Sequence, residues 1–223
     1  MKYQNPDVES SYRENNLGKD LYEAVLKHRP KKIIEFGSFY GYSTLAMAMA
    51  LDEIGEGGVI QVYDLFESYI YKHSAHKHTT KESIEKGGWR YYLEALRMDF
   101  HMWLRPSRNM ITRRQLMKTF EKYGLSKYVK LDKKNFKDWV KNPEPFDMMH
   151  FDISNNGETI KLLYNTVKPY IDQGSVVYFE GGSEERDNLS WVIKHNLKKI
   201  SEVGVPYEVV NNKFPSLSII KKI

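Results

Sequence analysis

The fold is decided by residues 32–44, which read Lys-Ile-Ile-Glu-Phe-Gly-Ser-Phe-Tyr-Gly-Tyr-Ser-Thr. The apolar run 32–36, stopped by Gly37, is typical of a short buried strand, and the Ala-, Leu- and Met-rich run 42–52 is typical of a helix. In doubly wound sheets, ligands bind where a parallel strand ends and the chain turns into the next helix. This junction is therefore the first candidate for a ligand site.

The rest of the chain repeats the alternation of strand and helix. Apolar runs predict six further strands, at 59–64, 128–131, 146–152, 175–180, 207–210 and 216–220. Helix-spaced apolar residues predict further helices at 17–29, 136–140, 158–167 and 186–200. Strands separated by helices indicate a parallel sheet covered on both faces, and a last pair without a helix indicates an antiparallel edge. The predicted fold is α/β, a doubly wound and mostly parallel seven-stranded sheet with an antiparallel last strand.

The composition fits one domain that spans residues 1–223. Hydrophobic residues make up 41% of the chain and charged residues 28%, close to the average of globular proteins. The absence of cysteine excludes a disulfide scaffold, a thiolate metal site and a cysteine nucleophile. No apolar run approaches the roughly 18 residues of a membrane span, and the first residues lack the apolar core of a signal peptide. We therefore expect a cytoplasmic protein that does not act at a membrane.

The chain has a net charge of +5, and its excess of basic residues lies in one segment, residues 66–127, which follows the second predicted strand. This segment holds 13 Lys and Arg against 6 Asp and Glu. It predicts a helix at 89–104 and a second helix that begins with capping-box spacing at Thr112 and Gln115. We interpret it as a helical, lid-like insertion that closes over an acceptor molecule. The alternative is a solvated helical face.

Four arginines cluster where the two helices of the insertion meet: Arg105, Arg108, Arg113 and Arg114. The planar guanidinium fork matches the oxygens of carboxylate and phosphate groups. We therefore predict that these arginines bind a negatively charged group of the substrate. A role in solubility or in a homo-oligomer contact is the alternative.

Polar and glycine residues mark the carboxyl ends of the first two strands. Gly37 and Gly41 allow a tight turn and a close approach of backbone to ligand, and the following helix start offers free N–H groups. Asp64 ends the second strand, where a carboxylate can accept hydrogen bonds from ribose hydroxyls. A strand–glycine–helix junction alone is a weak signal, but Glu35 before it and Asp64 after it make the pattern more specific.

These motifs resemble class I S-adenosylmethionine-dependent methyltransferases. Glu35-x-Gly37-x-x-x-Gly41 followed by Ser43 and Thr44 is similar to the first motif of that family, and Asp64 matches its acidic residue after the second strand. Two further matches are residues 146–152, around the fourth strand, and residues 168–174, before the fifth. The nearest branch is the small-molecule O-methyltransferases of the macrocin type, which share a helical insertion after strand two.

The resemblance implies S-adenosylmethionine as cofactor and a small acceptor, acidic or sugar-like, that is methylated at oxygen. It implies that Glu35, Gly37, Ser38 and Gly41 surround the methionine part and that Asp64 holds the ribose. The segment with Asn135 and Phe136 would lie beside the adenine, and Asp152 would also contact the cofactor.

The resemblance places the reacting centre at the ends of strands four and five. Asp152 and Glu180 are the candidate catalytic residues there, and His150 shares strand parity with Asp152 and could act as a base. A buried core histidine is the alternative for His150. In metal-dependent members these strand ends hold a divalent cation, and the oxygens of Asp152 and Glu180 would suit Mg²⁺. Hydrogen bonding of both carboxylates to substrate or cofactor is the alternative that we favour.

Three other functions compete with methyl transfer to a small molecule. The basic segment would also suit an RNA-modifying or nucleic-acid-binding protein, although no nucleic-acid-binding motif is present. After strand four the chain reads Asp152-Ile153-Ser154 where the family usually has Asp-Gly-Asp, and after strand five it reads Glu180-Gly181-Gly182 where the family often has a pair of acidic or amide residues. These departures would suit a cofactor-binding protein without catalysis. A dinucleotide-dependent oxidoreductase would need a Gly-x-Gly-x-x-Gly turn, which residues 37–42 do not provide.

Overall fold

Strands and helices alternate along the part of the chain that a computed structural model describes, namely residues 1–66, 112–153, 156–189, 192–193 and 196–222. The helices are α1 (Leu17–His28), α2 (Tyr42–Ile54), α3 (Arg113–Lys122), α4 (Phe136–Trp139), α5 (Gly157–Asp172) and α6 (Glu184–Asp187). The strands are β1 (Lys32–Phe36), β2 (Val59–Asp64), β3 (Val129–Lys133), β4 (Met148–Phe151), β5 (Val176–Glu180), β6 (Tyr207–Asn211) and β7 (Leu217–Ile220). Single 3₁₀ turns cover Ser126–Tyr128 and Ile200–Glu202. Within these ranges, no helix combines the length and the hydropathy that crossing a membrane would require.

The strands form one seven-stranded sheet in the order β3-β2-β1-β4-β5-β7-β6. Neighbours among β1 to β5 pair in parallel, while β7 runs antiparallel to both β5 and β6. The predicted fold class is therefore confirmed. The strand order reverses direction at β1, which lies between β2 and β4, and this is the switch point where ligands of doubly wound sheets bind.

The two faces of the sheet are covered by separate cores, because successive side chains of a strand point to opposite faces. Ile33 packs with helices α1, α2 and α3 in the first core. The next residue, Ile34, packs with α4, α5 and the turn Ile200–Glu202 in the second core. All residues of α2 from Tyr42 to Leu51 are buried. A helix that is apolar on all sides fits this position, where it packs against α1 as well as against the sheet.

The predicted helix over 186–200 is wrong in its extent. Helix α6 begins earlier, at Glu184, and ends at Asp187, so that the chain is not helical at 188–189. Residues 192–193 are helical again, residues 197–199 are not, and a 3₁₀ turn follows at Ile200–Glu202. The reason is the buried carboxylate of Asp187. It accepts hydrogen bonds from the backbone N–H groups of Ile200 and Ser201 at 3.0 and 2.9 Å and from the Ser201 hydroxyl at 2.7 Å. These bonds tie the 3₁₀ turn to the end of α6.

The predicted insertion 66–127 is described only at Phe66 and from residue 112 onward. The capping box at the start of α3 is as predicted, since Gln115 N donates to Thr112 Oγ1 at 3.2 Å and Thr112 N donates to Gln115 Oε1 at 2.9 Å. Leu116 and Phe120 of α3 are buried in the first core. Helix α3 thus packs in the first core as part of the connection from β2 to β3. The lid hypothesis therefore concerns the residues between Phe66 and α3. The predicted helix at 89–104 lies outside the described residues.

Candidate active site

The loop between β1 and α2 is held against the ends of two neighbouring strands. Gly37 has a φ of 83°, and a Cβ atom at this position would lie 2.1 Å from the carbonyl oxygen of Asp152. Only glycine allows this close approach of the β1 end to the β4 end. On the other side, the backbone N–H and the hydroxyl of Ser38 donate to Asp64 Oδ2 at 2.9 and 3.1 Å. Gly37, Ser38, Asp64 and Asp152 are therefore brought together at the switch point, as predicted for a cofactor site.

Asp64 is fixed by three donors at the end of β2. Besides the two bonds from Ser38, its Oδ1 atom accepts a hydrogen bond from Phe66 N at 2.9 Å. Its side chain is partly exposed. A carboxylate in this position, ordered but still in contact with solvent, can accept hydrogen bonds from a ligand.

Gly41 is required for packing. It has a φ of 85°, and a Cβ atom there would lie 2.8 Å from Leu116 Cδ1 and from Phe120 Cε1 of α3. This glycine lets helix α3 pack against the start of α2. Its predicted contact with the methionine part of a cofactor stays a prediction.

Glu35 lies in the core, where neighbouring polar side chains bind both oxygen atoms of its carboxyl group. Its side chain is 0% exposed. Ser43 Oγ donates to Glu35 Oε1 at 2.5 Å, Thr44 Oγ1 donates to Glu35 Oε2, and His150 Nδ1 lies 3.0 Å from Glu35 Oε1. These contacts tie Glu35 to the first turn of α2 and to β4, and its predicted contact with cofactor stays a prediction.

His150 is held between two partners that the chain itself supplies. A carboxylate only accepts hydrogen bonds, so the contact with Glu35 places a proton on Nδ1 of His150. Nε2 can then accept from the hydroxyl of Tyr12, which lies 3.2 Å away. Burial and the nearby charge of Asp152 raise the pKa of Tyr12 well above its ordinary value, which keeps this hydroxyl protonated as a donor. Because His150 is 0% exposed and both ring nitrogens are engaged, the structure favours the core-histidine alternative over a general base.

Asp152 and Glu180 lie close together at the ends of β4 and β5, as predicted. Burial and the neighbouring charge of Glu180 raise the pKa of Asp152 well above its ordinary value. Glu180 Oε1 accepts hydrogen bonds from Arg186 Nε and Nη2 at 3.3 and 3.1 Å. Both partners of this ion pair are nearly buried, with side chains 8% and 10% exposed. The carboxyl ends of β4 and β5 thus combine two carboxyl groups with one guanidinium group.

Two residues of this cluster escaped the sequence prediction. Tyr12 precedes the first helix in a segment without periodicity, and no sequence signal connects it to β4. Arg186 carried a usable signal, since it stands among acidic residues directly after the predicted fifth strand, in Ser-Glu-Glu-Arg-Asp. An arginine within reach of a strand-end glutamate could have been predicted as its partner.

The predicted adenine site lies at the end of β3, where Asn135 caps α4. Asn135 Oδ1 accepts a hydrogen bond from Lys137 N at 2.8 Å. The Phe136 ring packs edge-on against Phe36 and Phe151, with ring centroids 5.4 and 4.8 Å apart. Both residues have structural roles here, and contact with adenine stays a prediction for both.

The predicted substrate arginines are described in part. Arg113 and Arg114 are exposed in the first turn of α3, and Arg113 Nη2 lies 3.9 Å from Asp132 Oδ1 on β3. Asp132 pairs with Tyr63 in the sheet, one residue before Asp64, so Arg113 lies toward the carboxyl end of the strands. Arg105 and Arg108 lie outside the described residues.

The strand-end carboxylates do not match a divalent metal site. Among the described residues, no group of three His, Cys, Asp or Glu side chains is placed to hold a metal ion. Glu180, one of the two predicted ligands, already forms an ion pair with Arg186 through its Oε1 atom. A metal ion would have to displace this buried cation, and we therefore derive no chemical step through a metal.

An apolar rim borders the glycine turn. Phe39, at the tip of the turn, is 50% exposed and Ile153, after β4, is 39% exposed. The Cγ2 atom of Ile153 would lie 2.8 Å from a Cβ atom at Gly37, so this apolar surface is continuous with the turn. Exposed apolar groups beside convergent polar groups are typical of a site for an organic molecule.

The fold is that of a doubly wound α/β protein, and this arrangement is a candidate ligand site at the switch point of its sheet. Residues 34–180 match a family model described as a methyltransferase domain. This match covers more than half of the chain, from β1 to the end of β5, and the chain belongs to this methyltransferase-domain family. The comparison with curated protein sequences finds no match.

Solved structures of O-methyltransferases share the fold. An O-methyltransferase from Bacillus cereus, solved in complex with SAH, is 14% identical, with a TM-score of 0.52 over 97% of this chain and 84% of that chain. The O-methyltransferase TomG from Streptomyces achromogenes, involved in tomaymycin synthesis and solved in complex with SAM, is also 14% identical. Its TM-score is 0.50 over 97% of this chain and 83% of that chain. At this identity the likeness concerns the fold.

Replacement of Tyr12 by phenylalanine tests the buried network. The variant leaves Nε2 of His150 without its donor, which we expect to lower the free energy of unfolding by about 1–3 kcal/mol. Tyr22→Phe is the matched control, because its partner Glu53 can turn to solvent, and it should cost less. In ¹⁵N spectra of labelled histidine, His150 of the parent should carry its proton on Nδ1. A proton on Nε2 alone would contradict the assignment of Tyr12 as donor.

Proposed function

We propose that this protein binds S-adenosylmethionine at the carboxyl ends of β1 and β2 and transfers its methyl group to an oxygen atom of a small acceptor. The proposal is supported above all by the turn of the methyltransferase domain, in which Gly37 contacts the Asp152 backbone and Ser38 is bonded to Asp64. SAM and SAH are bound by the O-methyltransferases that share the fold. The cofactor would supply an electrophilic methyl group.

Each part of the turn would have a separate task in binding the cofactor. The carboxylate of Asp64 would accept hydrogen bonds from the ribose hydroxyls. Gly37 would let the ligand approach the backbone, and the N–H groups at the start of α2 would be directed to polar ligand atoms. Positioning of the acceptor oxygen in line with the methyl group supplies much of the rate in such a transfer.

Asp152 is the group that we assign as proton acceptor, in place of His150. A hydroxyl acceptor loses its proton when its oxygen forms the new bond to carbon, and a carboxylate within reach can take that proton. Burial and Glu180 raise the pKa of Asp152, which makes its ionised form more basic. Glu180 would hold Asp152 in place, since the two carboxyl groups interact directly.

Alanine at Asp64 tests the cofactor site. Loss of charge-assisted hydrogen bonds of about 1.5–3 kcal/mol corresponds to roughly 10- to 100-fold weaker binding of S-adenosylhomocysteine in calorimetry. Asp132→Ala is the matched control, because Asp132 also lies near the end of its strand but is exposed on β3. The affinity of this variant for S-adenosylhomocysteine should stay within about two-fold of that of the parent. If the parent binds NAD and not S-adenosylhomocysteine, the proposed function is wrong.

Asparagine at Asp152 tests the proton acceptor. The amide keeps the shape but cannot take a proton, and loss of general base catalysis lowers turnover by about 10²- to 10⁴-fold. Turnover is measured as S-adenosylhomocysteine formed from a panel of small hydroxyl compounds. Asp172→Asn, at the exposed end of α5, is the control and should turn over like the parent. Unchanged turnover in Asp152→Asn would assign the base elsewhere.

We further propose that the acceptor carries a negatively charged group and that Arg113 and Arg114 attract it. Both guanidinium groups are exposed near the carboxyl end of the sheet. Charge reversal at both positions should raise KM for anionic members of the acceptor panel by roughly ten-fold and leave neutral members unchanged. An equal KM change for anionic and neutral compounds would contradict this role. Arg29→Glu, on the exposed surface beside Glu56, controls for net charge.

Cytoplasmic location and homo-oligomer formation stay predictions from the sequence. The same holds for nucleic-acid binding, because most of the basic segment lies outside the described residues. The acceptor panel should therefore include an RNA sample, and methylation of RNA in preference to small molecules would favour that alternative.

A further inference from the structure

A buried arginine lies at the reacting end of the sheet, where the sequence predicted only carboxylates. Arg186 is in the first turn of α6, and the Ser183 hydroxyl caps this turn by accepting from Arg186 N at 3.3 Å. The chain reverses between β5 and α6, so the side chain of Arg186 returns to Glu180, six residues earlier. Two of its nitrogen atoms bond to the same oxygen of Glu180.

The guanidinium group belongs to a compact charged cluster. The hydroxyl of Tyr12 experiences the charges of Asp152, Glu180, Glu35 and Arg186 together. Arg186 is a permanently ionised cation, because guanidinium does not lose its proton in proteins, and it contacts the carboxyl group of Glu180 directly. A buried carboxylate requires such a partner, since an uncompensated buried charge is strongly destabilising.

This cation occupies the place that a divalent metal would need. A metal bound between the ends of β4 and β5 would take oxygen ligands from Asp152 and Glu180. In this chain Oε1 of Glu180 is instead bonded by Arg186, and two positive groups would compete for the same carboxylates. We propose that Arg186 is the resident cation of this site and holds Glu180 and Asp152 in position without a divalent metal.

Arg186 is accordingly a positioning residue, and its role in methyl transfer rests on the proposed function. The two hydrogen bonds from the guanidinium group hold the carboxyl group of Glu180 toward α6. Glu180 in turn interacts with Asp152, the assigned proton acceptor. Lysine at this position would preserve the charge but not the two-nitrogen contact.

Manganese binding tests the inference without cofactor or acceptor. Mn²⁺ is titrated into the parent and followed by electron paramagnetic resonance of the free ion. We expect no saturable Mn²⁺ site in the parent. Arg186→Ala leaves two carboxyl groups without their cation, and this variant should bind one Mn²⁺ with an affinity at least ten-fold above the weak binding of the parent. Arg186→Ala with Glu180→Gln should lose this site again, and Arg186→Lys should resemble the parent.

The controls separate the inference from folding and from the proposed function. Arg29→Ala removes an exposed arginine from another glutamate, Glu56, and should not gain the site. Circular dichroism shows which variants fold, and Arg186→Gln replaces Arg186→Ala if the latter does not. A saturable parent site that Glu180→Gln removes, or no gain in either neutral variant, overturns the inference. Failure of the parent to bind S-adenosylhomocysteine would instead overturn the proposed function and leave the manganese result intact.

Discussion

The buried carboxylate of Glu35 is the constraint on which the rest of the site depends. A charged group with 0% exposure must find its hydrogen bonds inside the protein. Glu35 finds them at the start of α2, through Ser43 and Thr44, and on β4, through His150. Because β1, α2 and β4 are tied to one side chain, the chain between β1 and α2 has little freedom. The loop must therefore turn within residues 37–41, between the end of β1 and the start of α2.

A second charged group organises the neighbouring strand ends. The ion pair of Glu180 and Arg186 lies beside Asp152. The charges of this pair and of Glu35 all act on the hydroxyl group of Tyr12. The two groups differ in chemistry. The first is a carboxylate satisfied by hydroxyl and imidazole groups in the core, and it supports the turn. The second combines carboxyl groups with a fixed cation at the carboxyl ends of β4 and β5.

Much of the fold could be predicted from the sequence, because strands buried on both faces leave continuous apolar runs. Residues 175–180 are such a run, and β5 is found at Val176–Glu180. The extent of α6 could not be predicted in this way, since it depends on the contact of Asp187 with Ile200, 13 residues away. Apolar spacing alone predicts a continuous helix, whereas the described backbone is not helical at residues 188–189 and 197–199.

The site could be predicted where its residues follow strands, and not where they reach it from elsewhere. Asp64, Asp152 and Glu180 end parallel strands, so strand prediction alone places them at one edge of the sheet. The inward direction of Glu35 depends on Ser43 and Thr44, eight and nine residues further along the chain. Tyr12 reaches His150 across 138 residues, and such a contact leaves no local pattern.

The motif around the fourth strand places one aspartate at each end of β4, and the two aspartates have different roles. Asp147 and Asp152 flank β4, which is four residues long. Asp147 lies at the amino end, where its Oδ2 atom accepts hydrogen bonds from Lys31 N and Lys32 N at 2.8 Å each and fixes the start of β1. Asp152 lies at the carboxyl end, where its backbone oxygen approaches Gly37 and its carboxyl group approaches Glu180. Since parallel strands β1 and β4 begin and end together, the first aspartate sets their register, and that register places the second aspartate beside the glycine turn.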